Sequence, residues 1–453
     1  MQVQQIGVTG DELSGQDRLD QHQQCQRAHQ GAQHHQRPAP GGSRGTGSPG
    51  GGLVRFFAGS FFGRQCFERL GHLHHSGSVA SCSLAAPTGP PVAPIDRATG
   101  CLYGHYRAPH GRRGRGRAMA YGDTPATPDT VPTVRGPVPA GELGRVLMHE
   151  HIFVLSPEFA DNYPEHQGFQ ESEEVPRAVR RLTELAAAGI STIVDPTVIG
   201  LGRYIPRIQR VAEQVGINIV VATGLYTYND VPHYLSMRGP GTPLGGDDPL
   251  VDLFVADITE GIAHTGVRAG VLKCATDEPG VTPGVERVLR AVARAHRATG
   301  VPILTHTHAG TRRGIEQQDL FAAEGVDLTR VVIGHCGDSA DLDYLTAIAD
   351  RGSLLGMDRF GLDSLLPFER RVATVAALCE RGYADRIVLS HDASCYIDWF
   401  PMRELPGLLP NWHYLHLTRD VLPALRARGV SESEIATMLV DNPRRILRGR
   451  GGY

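Results

Sequence analysis

Eight short apolar runs alternate with longer amphipathic patterns in this sequence, and this alternation constrains the fold more than any other feature. Runs with strand character occupy residues 143–149, 192–197, 218–224, 269–274, 302–306, 331–335, 354–358 and 387–392. Helical patterns follow these runs, at residues 175–188, 205–215, 250–262, 285–298, 315–324, 342–350, 369–380 and 415–428. Such an alternation indicates parallel βαβ units rather than hairpins.

Eight βαβ units predict an α/β fold of the TIM (β/α)8 barrel type. Such barrels need roughly 250 residues, and the stretch from Gly136 to Leu447 is long enough. An open, doubly wound sheet is the alternative, but no Gly-x-Gly-x-x-Gly pattern follows the first strand. After the last barrel helix, Ser431 and Glu434 form a capping box that predicts one further helix, with Asn442-Pro443 near its end.

Polar residues that can bind metals stand at the ends of several predicted strands. They are His149, His151, His306, His335 and Asp392. Because residues two apart in a strand point to the same face, the first two imidazoles should share a face while Glu150 points away. The carboxyl ends of barrel strands meet at one mouth, where active sites lie. The sequence therefore predicts that these residues converge.

Lys273 is the only lysine in the chain, since 44 of the 45 Lys+Arg residues are arginine. It lies in the apolar fourth strand, where an ammonium group would be costly unless it is paired or chemically changed. Lysine can lose its proton and react, whereas arginine stays charged. A Schiff base, a general base and a metal-binding carbamate are the functional alternatives, and a lysine snorkelling from a strand end is the purely structural one.

The order His-x-His, Lys, His, His, Asp on strands one, four, five, six and eight resembles the amidohydrolase superfamily. The short sequence motifs around these residues resemble those of its phosphotriesterase family, and most of all those of the phosphotriesterase-like lactonases. The segments that carry the resemblance are Leu-Met-His-Glu-His (147–151), Thr-Ile-Val-Asp-Pro-Thr (192–197), Gly-Leu-Tyr-Thr-Tyr (224–228), Asp-Glu-Pro-Gly (277–280), Ile-Gly-His (333–335), Gly-Met-Asp-Arg-Phe-Gly-Leu-Asp (356–363), Ser-His-Asp (390–392) and Ile-Asp-Trp (397–399). The resemblance covers about residues 136–447.

The resemblance implies a site for two divalent metal ions. The more buried ion would be held by His149, His151 and Asp392. The more exposed ion would be held by His306 and His335. A carbamate that forms from CO2 on Lys273 would bridge both ions. Zinc is the expected metal, and iron, cobalt or manganese also suit imidazole and carboxylate ligands.

The resemblance also implies catalytic and substrate-binding roles. Asp392 would accept a proton, Tyr226 would lie beside the substrate oxygen, and Arg359 would stand at the pocket wall. The pocket would be lined by Tyr228, Leu362, Leu365, Ser394 and Trp399. Ordinary packing at the barrel mouth is the alternative for these residues. The sequence Ala-Ser-Cys at 393–395 leaves the acyl-chain preference open, while the length of the eighth loop, residues 396–414, favours a lactonase.

We therefore expect a metal-dependent hydrolase that opens lactones resembling acyl-homoserine lactones and hydrolyses organophosphate triesters as a side activity. A phosphotriesterase proper (an aryldialkylphosphatase) is the alternative within enzymes. A catalytically silent barrel that serves as a binding module, with the N-terminal tract contacting RNA, is the alternative from another class. The expected partner is a small lactone or phosphotriester, and the resemblance adds a homodimer.

Cysteine usage and charge add a prediction of compartment. Cys274, Cys336 and Cys379 are predicted to be buried small hydrophobes, Cys395 lies in the eighth loop, and no Cys-x-x-Cys spacing occurs. The formal net charge of −3 gives no cue toward nucleic acid, and no apolar run is long enough to span a membrane. We predict a cytoplasmic protein without disulfides, membrane contacts or nucleic-acid partners.

Residues 1–118 differ in composition from residues 119–453, which form the predicted hydrolase domain. Gln, His, Gly, Pro, Ser and Arg dominate the first part, and such a composition buries too little apolar surface to fold. The arginine- and glycine-rich run at 112–117 lacks the apolar segment of an export signal. We expect a disordered extension, or a misassigned start upstream of Met119.

This break in composition predicts that deletion of residues 1–118 leaves folding, metal content and catalytic rate unchanged. Circular dichroism, elemental analysis and turnover of the truncated and full chains measure the three properties. A truncated chain that is insoluble or inactive beside an active full chain would assign the segment to the domain.

Overall fold

A computed structural model describes residues 129–449 and 451–453. The predicted boundary at residue 118, the disordered extension and the alternative start at Met119 lie outside the described residues. Within these residues we find no helix whose length and apolar character would let it span a bilayer.

Eight parallel strands form the barrel sheet, and each hydrogen-bonds to the next one along the chain. They are β3 (Val146–Leu147), β5 (Thr192–Asp195), β6 (Asn218–Gly224), β7 (Val271–Thr276), β8 (Ile303–Thr307), β9 (Val331–Ile333), β10 (Leu354–Met357) and β11 (Ile387–Leu389). Four other strands are β1 (Thr130–Thr133), β2 (Gly136–Pro139), β4 (His151–Val154) and β12 (Ser394–Ile397). The number and order of the predicted strands, and the (β/α)8 barrel itself, are confirmed.

Helices follow the strands as the sequence predicts, with short additional helices in the loops. The α-helices are α1 (Pro157–Asn162), α2 (Pro164–Gln167), α3 (Glu171–Ala187), α4 (Ile205–Ala212), α5 (His233–Ser236), α6 (Pro249–Thr259), α7 (Pro283–Thr299), α8 (Arg313–Ala323), α9 (Leu342–Asp350), α10 (Phe368–Glu380), α11 (Leu405–Leu408), α12 (Leu422–Ala427), α13 (Glu432–Ala436) and α14 (Asn442–Leu447). Single π-helical turns, Leu417–Val421 and Thr437–Asp441, precede α12 and α14.

Local chemistry explains where the helices begin and end. In α7, the Thr282 hydroxyl accepts the Val285 N–H, Pro283 occupies the first turn, and Gly300 ends the helix in the left-handed conformation. The capping box predicted at Ser431 and Glu434 is confirmed at the start of α13. Asn442 and Pro443, predicted near the end of that helix, instead open its final segment, where a missing N–H is tolerated.

Two apolar cores lie on the two sides of the sheet. The larger core packs the barrel helices against outward-facing strand residues such as Leu272 and Ile333. The smaller core fills the barrel interior with residues such as Val220, Val271 and Val388. The opposite placement of Val271 and Leu272, neighbours in one strand, follows from the alternation of side chains.

The barrel closes differently between its first and eighth strands. β3 and β11 are the two ends of the hydrogen-bonded sheet, and the chain between β3 and β4 crosses the gap. There the Asp392 N–H donates to the His149 carbonyl (3.0 Å) and the His151 N–H donates to the Ala393 carbonyl (2.8 Å). β4 then pairs in parallel with β12. The predicted first strand, residues 143–149, is therefore wrong in its extent, because the chain leaves the ladder after two residues to make this seam.

The four described cysteines are all free and buried. This confirms the predicted burial of Cys274, Cys336 and Cys379. Cys336, however, begins a 3-10 turn rather than continuing a strand, so the strand pleat does not explain its burial. Cys395, predicted in the eighth loop, belongs to β12.

Candidate functional site

Six polar side chains from five barrel strands or their ends converge inside the barrel mouth, as the sequence predicts. Asp392 Oδ1 lies 3.3 Å from His149 Nε2 and 3.2 Å from His151 Nε2. The Lys273 Nζ atom lies 3.2 Å from His149 Nε2. On the other side, His335 Nε2 lies 2.8 Å from His306 Nδ1. The convergence follows from the barrel, because these strands all end at the same mouth.

A buried carboxylate, Asp358, orients two of the four imidazoles. Its Oδ2 lies 3.1 Å from His149 Nδ1, and its Oδ1 lies 3.0 Å from His335 Nδ1. Asp358 Oδ1 also accepts the backbone N–H of His335 at 2.8 Å. A carboxylate cannot donate a hydrogen bond, so both Nδ1 atoms carry the protons and both Nε2 atoms keep their lone pairs.

The other two imidazoles are oriented in the same manner. His306 Nε2 lies 3.0 Å from Asp277 Oδ2, which leaves the lone pair on Nδ1. His151 Nδ1 lies 2.7 Å from the Thr197 hydroxyl, and that hydroxyl donates to Asp195 Oδ1. Thr197 can therefore only accept from His151, so the lone pair of His151 is on Nε2.

When each ring carries a single proton, four imidazole lone pairs thus point into the same space as the Asp392 carboxylate. The contact between His335 Nε2 and His306 Nδ1 joins two lone pairs when each ring has one proton, and this contact is unfavourable without a cation. Burial lowers the pKa of His306 to about 4 and that of His335 well below its usual value, so neither ring is a cation near neutral pH. The chemistry of the donor set therefore fits a divalent metal, and His149, His151 and Asp392 form one group that could hold it.

Lys273 is almost fully buried, with 1% of its surface exposed. Burial lowers its pKa to about 8, against the opposing pull of Asp392 and Asp358. Its Nζ also lies 3.4 Å from the Thr305 carbonyl. A buried amine that loses its proton near neutral pH is nucleophilic. The burial of Lys273 does not fit the structural alternative, in which its ammonium group would reach solvent.

Arg359 binds Asp392 through Oδ2, whereas His149 and His151 lie near Oδ1. Its Nε donates to Asp392 Oδ2 at 2.9 Å, and its Nη1 donates to Asp338 Oδ2 at 3.0 Å. Asp338 in turn accepts from Arg371, which is buried. Although burial raises the pKa of Asp392, His149 and its other charged neighbours outweigh burial and hold it well below the usual range. Asp392 is therefore ionised and fixed in orientation.

Aromatic side chains line one wall beside His306. The Tyr226 hydroxyl lies 3.3 Å from His306 Nδ1 and contacts the Tyr228 hydroxyl. The Trp399 ring is 6.4 Å from the Tyr226 ring, centre to centre, and half of its surface is exposed. Burial raises the pKa of Tyr226 well above its usual value, so its hydroxyl keeps the proton and can donate it in a hydrogen bond.

The other three predicted pocket residues lie in different surroundings. Leu362 is buried in the turn after β10, where its carbonyl accepts from Arg371. The N–H of the half-buried Leu365 donates to the Leu362 carbonyl in the same turn. Ser394 lines a cavity of about 240 Å³ between α3 and the eighth loop, together with residues such as Trp412. None of the six converging polar residues is among the described residues that line this cavity.

Two of the converging residues have backbones that the strand pattern does not predict. His335 and Asp392, predicted to end their strands, lie beyond them with φ angles of 62° and 55°. Non-glycine residues rarely adopt this left-handed conformation, and such strain concentrates at functional sites. At His335 the conformation is held by the bond from its N–H to Asp358. The strand ends were therefore predicted two or three residues too far along the chain.

Sequence reasoning missed the residues that orient the histidines. Asp358, Asp277, Thr197 and Asp195 all lie in the segments that carry the family resemblance, yet no role was predicted for them. The only signal was a polar residue at or near the end of a predicted strand, and many such residues are solvated. Their partners become evident only when the barrel brings the strand ends together.

Comparison with known proteins supports the same family. The family model of the phosphotriesterase family matches residues 129–447. A phosphotriesterase homology protein of Mycobacterium tuberculosis is 62% identical over 321 residues, which cover 71% of this chain and 98% of that protein. An aryldialkylphosphatase of Saccharolobus solfataricus is 42% identical over 308 residues, which cover 68% of this chain and 95% of that protein.

The solved structure of the phosphotriesterase from Mycobacterium tuberculosis also matches, with a TM-score of 0.71 and 61% identity. The match covers 72% of this chain and 100% of that one. The resemblance inferred from the strand-end motifs is confirmed. The chain belongs to the phosphotriesterase family of hydrolases.

Proposed function

We propose that this chain is a binuclear-metal hydrolase that opens lactones and hydrolyses organophosphate triesters as a side activity. The observation that carries the metal requirement is the set of four imidazole lone pairs directed at one space beside Asp392. Three carboxylates select these tautomers by accepting the proton of the other ring nitrogen. Asp358 and Asp277 do so directly, and Asp195 does so through Thr197. A catalytically silent binding module would not need this arrangement.

The proposed metal ligands follow the two sides of the site. His149, His151 and Asp392 would hold the more buried ion, and His306 and His335 the more exposed one. When bound, a pair of zinc, iron, cobalt or manganese ions would polarise the substrate oxygen and make hydroxide available near neutral pH.

Lys273 would bridge these two groups, and its neutral amine can attack CO2. The N–C bond forms, one C=O π bond breaks, and the proton leaves, so that a cation becomes an anionic carbamate. Such an anion suits a site for two dications better than an ammonium does. The proximity of Lys273 Nζ to His149 Nε2 supports this assignment.

The protein groups around the reacting atoms would share the work of catalysis. Asp392, fixed by Arg359, can accept the proton of the attacking water. Tyr226 keeps its proton and can donate a hydrogen bond to the oxygen on which negative charge develops. Tyr228 contacts the Tyr226 hydroxyl and supports its orientation.

The aromatic wall favours a lactone as the better substrate. The exposed indole of Trp399, close to Tyr226, offers an apolar surface for an acyl chain at the entrance to the site. The relative named aryldialkylphosphatase favours the second candidate, a phosphotriesterase proper. The homodimer and the cytoplasmic location stay predictions from the resemblance and from cysteine usage.

The carbamate assignment predicts that Lys273→Arg loses metal and nearly all turnover, because arginine cannot form a carbamate. Lys273→Ala with a short carboxylic acid should recover a little activity. Elemental analysis and turnover give the two readouts. Because the chain has one lysine, a carbamate carbon signal from ¹³CO2 in NMR spectra should vanish in Lys273→Arg. Parent-like turnover of the arginine variant would contradict the assignment.

Asp358→Asn should weaken metal binding or activity by about 10–100-fold, because an amide cannot accept from both Nδ1 atoms and one ring would lose its tautomer. Asp257→Asn is the matched control. Asp257 is also a buried carboxylate, on helix α6, and it accepts hydrogen bonds from Thr223 of β6 and from Arg203, away from the site. The metal dissociation constants of both variants test this role of Asp358. An equal loss of metal affinity in the two variants would contradict it.

A long-chain acyl lactone should have a higher kcat/KM than an aryl dialkyl phosphate at equal metal loading. Tyr226→Phe should cost lactone turnover on the order of 2–4 kcal/mol in activation free energy, as expected for a lost oxyanion donor. A panel of lactones of different chain length and one aryl phosphotriester measures both effects. A clear preference for the phosphotriester would promote the second candidate.

A further inference from the structure

Glu150 lies in sequence between His149 and His151 and is completely buried. As predicted, it points away from them, and its carboxylate instead reaches the eighth strand. Glu150 Oε1 accepts the backbone N–H of His391 at 2.9 Å and contacts its ring Nδ1 at 2.6 Å. Glu150 Oε2 accepts the backbone N–H of Ala393 at 3.1 Å. The carboxylate therefore binds the residues on both sides of Asp392.

Asp392 has the left-handed backbone conformation, with a φ of 55°. A peptide segment in this conformation turns successive N–H groups in directions that an extended strand does not allow. The N–H groups of His391 and Ala393 both point at Glu150, and the N–H of Asp392 itself donates to the His149 carbonyl at 3.0 Å. With Asp392 in this conformation, three consecutive N–H groups thus all have acceptors.

The ring of His391 holds the Glu150 carboxylate in place on the side away from the Asp392 side chain. Its Nε2 accepts the backbone N–H of Leu417 at 2.8 Å, so the proton of the neutral ring must be on Nδ1 and must point at Glu150. The side chain of Asp392 is then directed toward His149 and His151, which are the neighbours of Glu150 in sequence. The residue between two proposed ligands holds the backbone of the third.

We propose that Glu150 is a positioning residue that sets the conformation of Asp392, and thereby the geometry of the His149–His151–Asp392 group. This inference rests on the proposed function, since the group acts as a metal site only if the chain binds metal. Closure of the barrel alone is a weaker explanation, because the bonds between Asp392 and His149 and between His151 and Ala393 already join the two strands.

The test compares three full-length variants with the parent chain, each prepared without metal and then titrated with cobalt. Glu150→Gln keeps the size of the side chain but places an NH2 group against an N–H donor, and Glu150→Asp keeps the charge but shortens the reach. Asp257→Asn is the control for loss of a buried carboxylate that holds a barrel strand by bonds to Thr223 and Arg203. The readouts are the cobalt dissociation constants, the visible absorption of bound cobalt, the melting temperature of the metal-free chain, kcat and KM.

For Glu150→Gln we expect one of two cobalt ions to bind about 10–100-fold more weakly, with an altered visible spectrum. We also expect a lower kcat and a KM close to that of the parent. Glu150→Asp should lie between this variant and the parent, and Asp257→Asn should lower only the melting temperature.

Two outcomes would overturn the inference about Glu150. In the first, Glu150→Gln behaves like Asp257→Asn in every readout. In the second, both Glu150 variants fail to fold without metal, which would make this carboxylate a barrel-closing residue. A parent chain that binds no cobalt contradicts the proposed function as well. If the parent binds two cobalt ions and Glu150→Gln binds them with unchanged affinity, only the inference about Glu150 is overturned.

Discussion

The seam between the first and eighth barrel strands is the constraint on which the site depends. β3 and β11 do not pair in the ladder, and the chain beyond β3 closes the gap with backbone bonds. Beside these bonds, the buried carboxylate of Glu150 accepts the backbone N–H groups on both sides of Asp392. A buried carboxylate is tolerated only when its oxygens accept hydrogen bonds, and here three N–H groups supply them. Burial still raises the pKa of Glu150, which the N–H groups of His391 and Ala393 oppose. The closing contacts and the metal-binding candidates therefore come from the same few residues.

Carboxylates around the site determine which nitrogen of each histidine ring is free to bind a metal. A histidine has two usable nitrogens, and a neighbouring acceptor determines which one holds the proton. Asp358 makes this choice for two rings from different strands, and Asp277 makes it for a third. Burial lowers the pKa of His149, and its Lys273 neighbour lowers it further. His151 differs, because Asp195 and Asp392 outweigh burial and raise its pKa to about 9. The carboxylates around His151 therefore favour an added cation, either a proton on its ring or a metal ion beside it.

Strain and buried charge are concentrated where the chemistry is proposed. His335 and Asp392 hold a backbone conformation that costs of the order of 1 kcal/mol or more for a non-glycine residue. Each is held by a carboxylate, Asp358 in one case and Glu150 in the other, that also contacts a histidine ring. The apolar cores on either side of the sheet supply the stability that allows this strain to persist.

The sequence by itself determined the fold class, the order of the strands and the residues that gather at the mouth. The strands could be predicted because hydrophobic periodicity is a local property of the sequence. Since all strands of a barrel end at the same mouth, His306 and Lys273 could be placed together without coordinates. Only the tertiary structure decided which atoms face inward and what holds them there. The bond from the His149 N–H to the Ser390 hydroxyl joins residues 241 positions apart, and no local pattern encodes it. The left-handed backbone at Asp392 likewise comes from the long-range contacts of Glu150, because aspartate tolerates this conformation but seldom adopts it without such contacts.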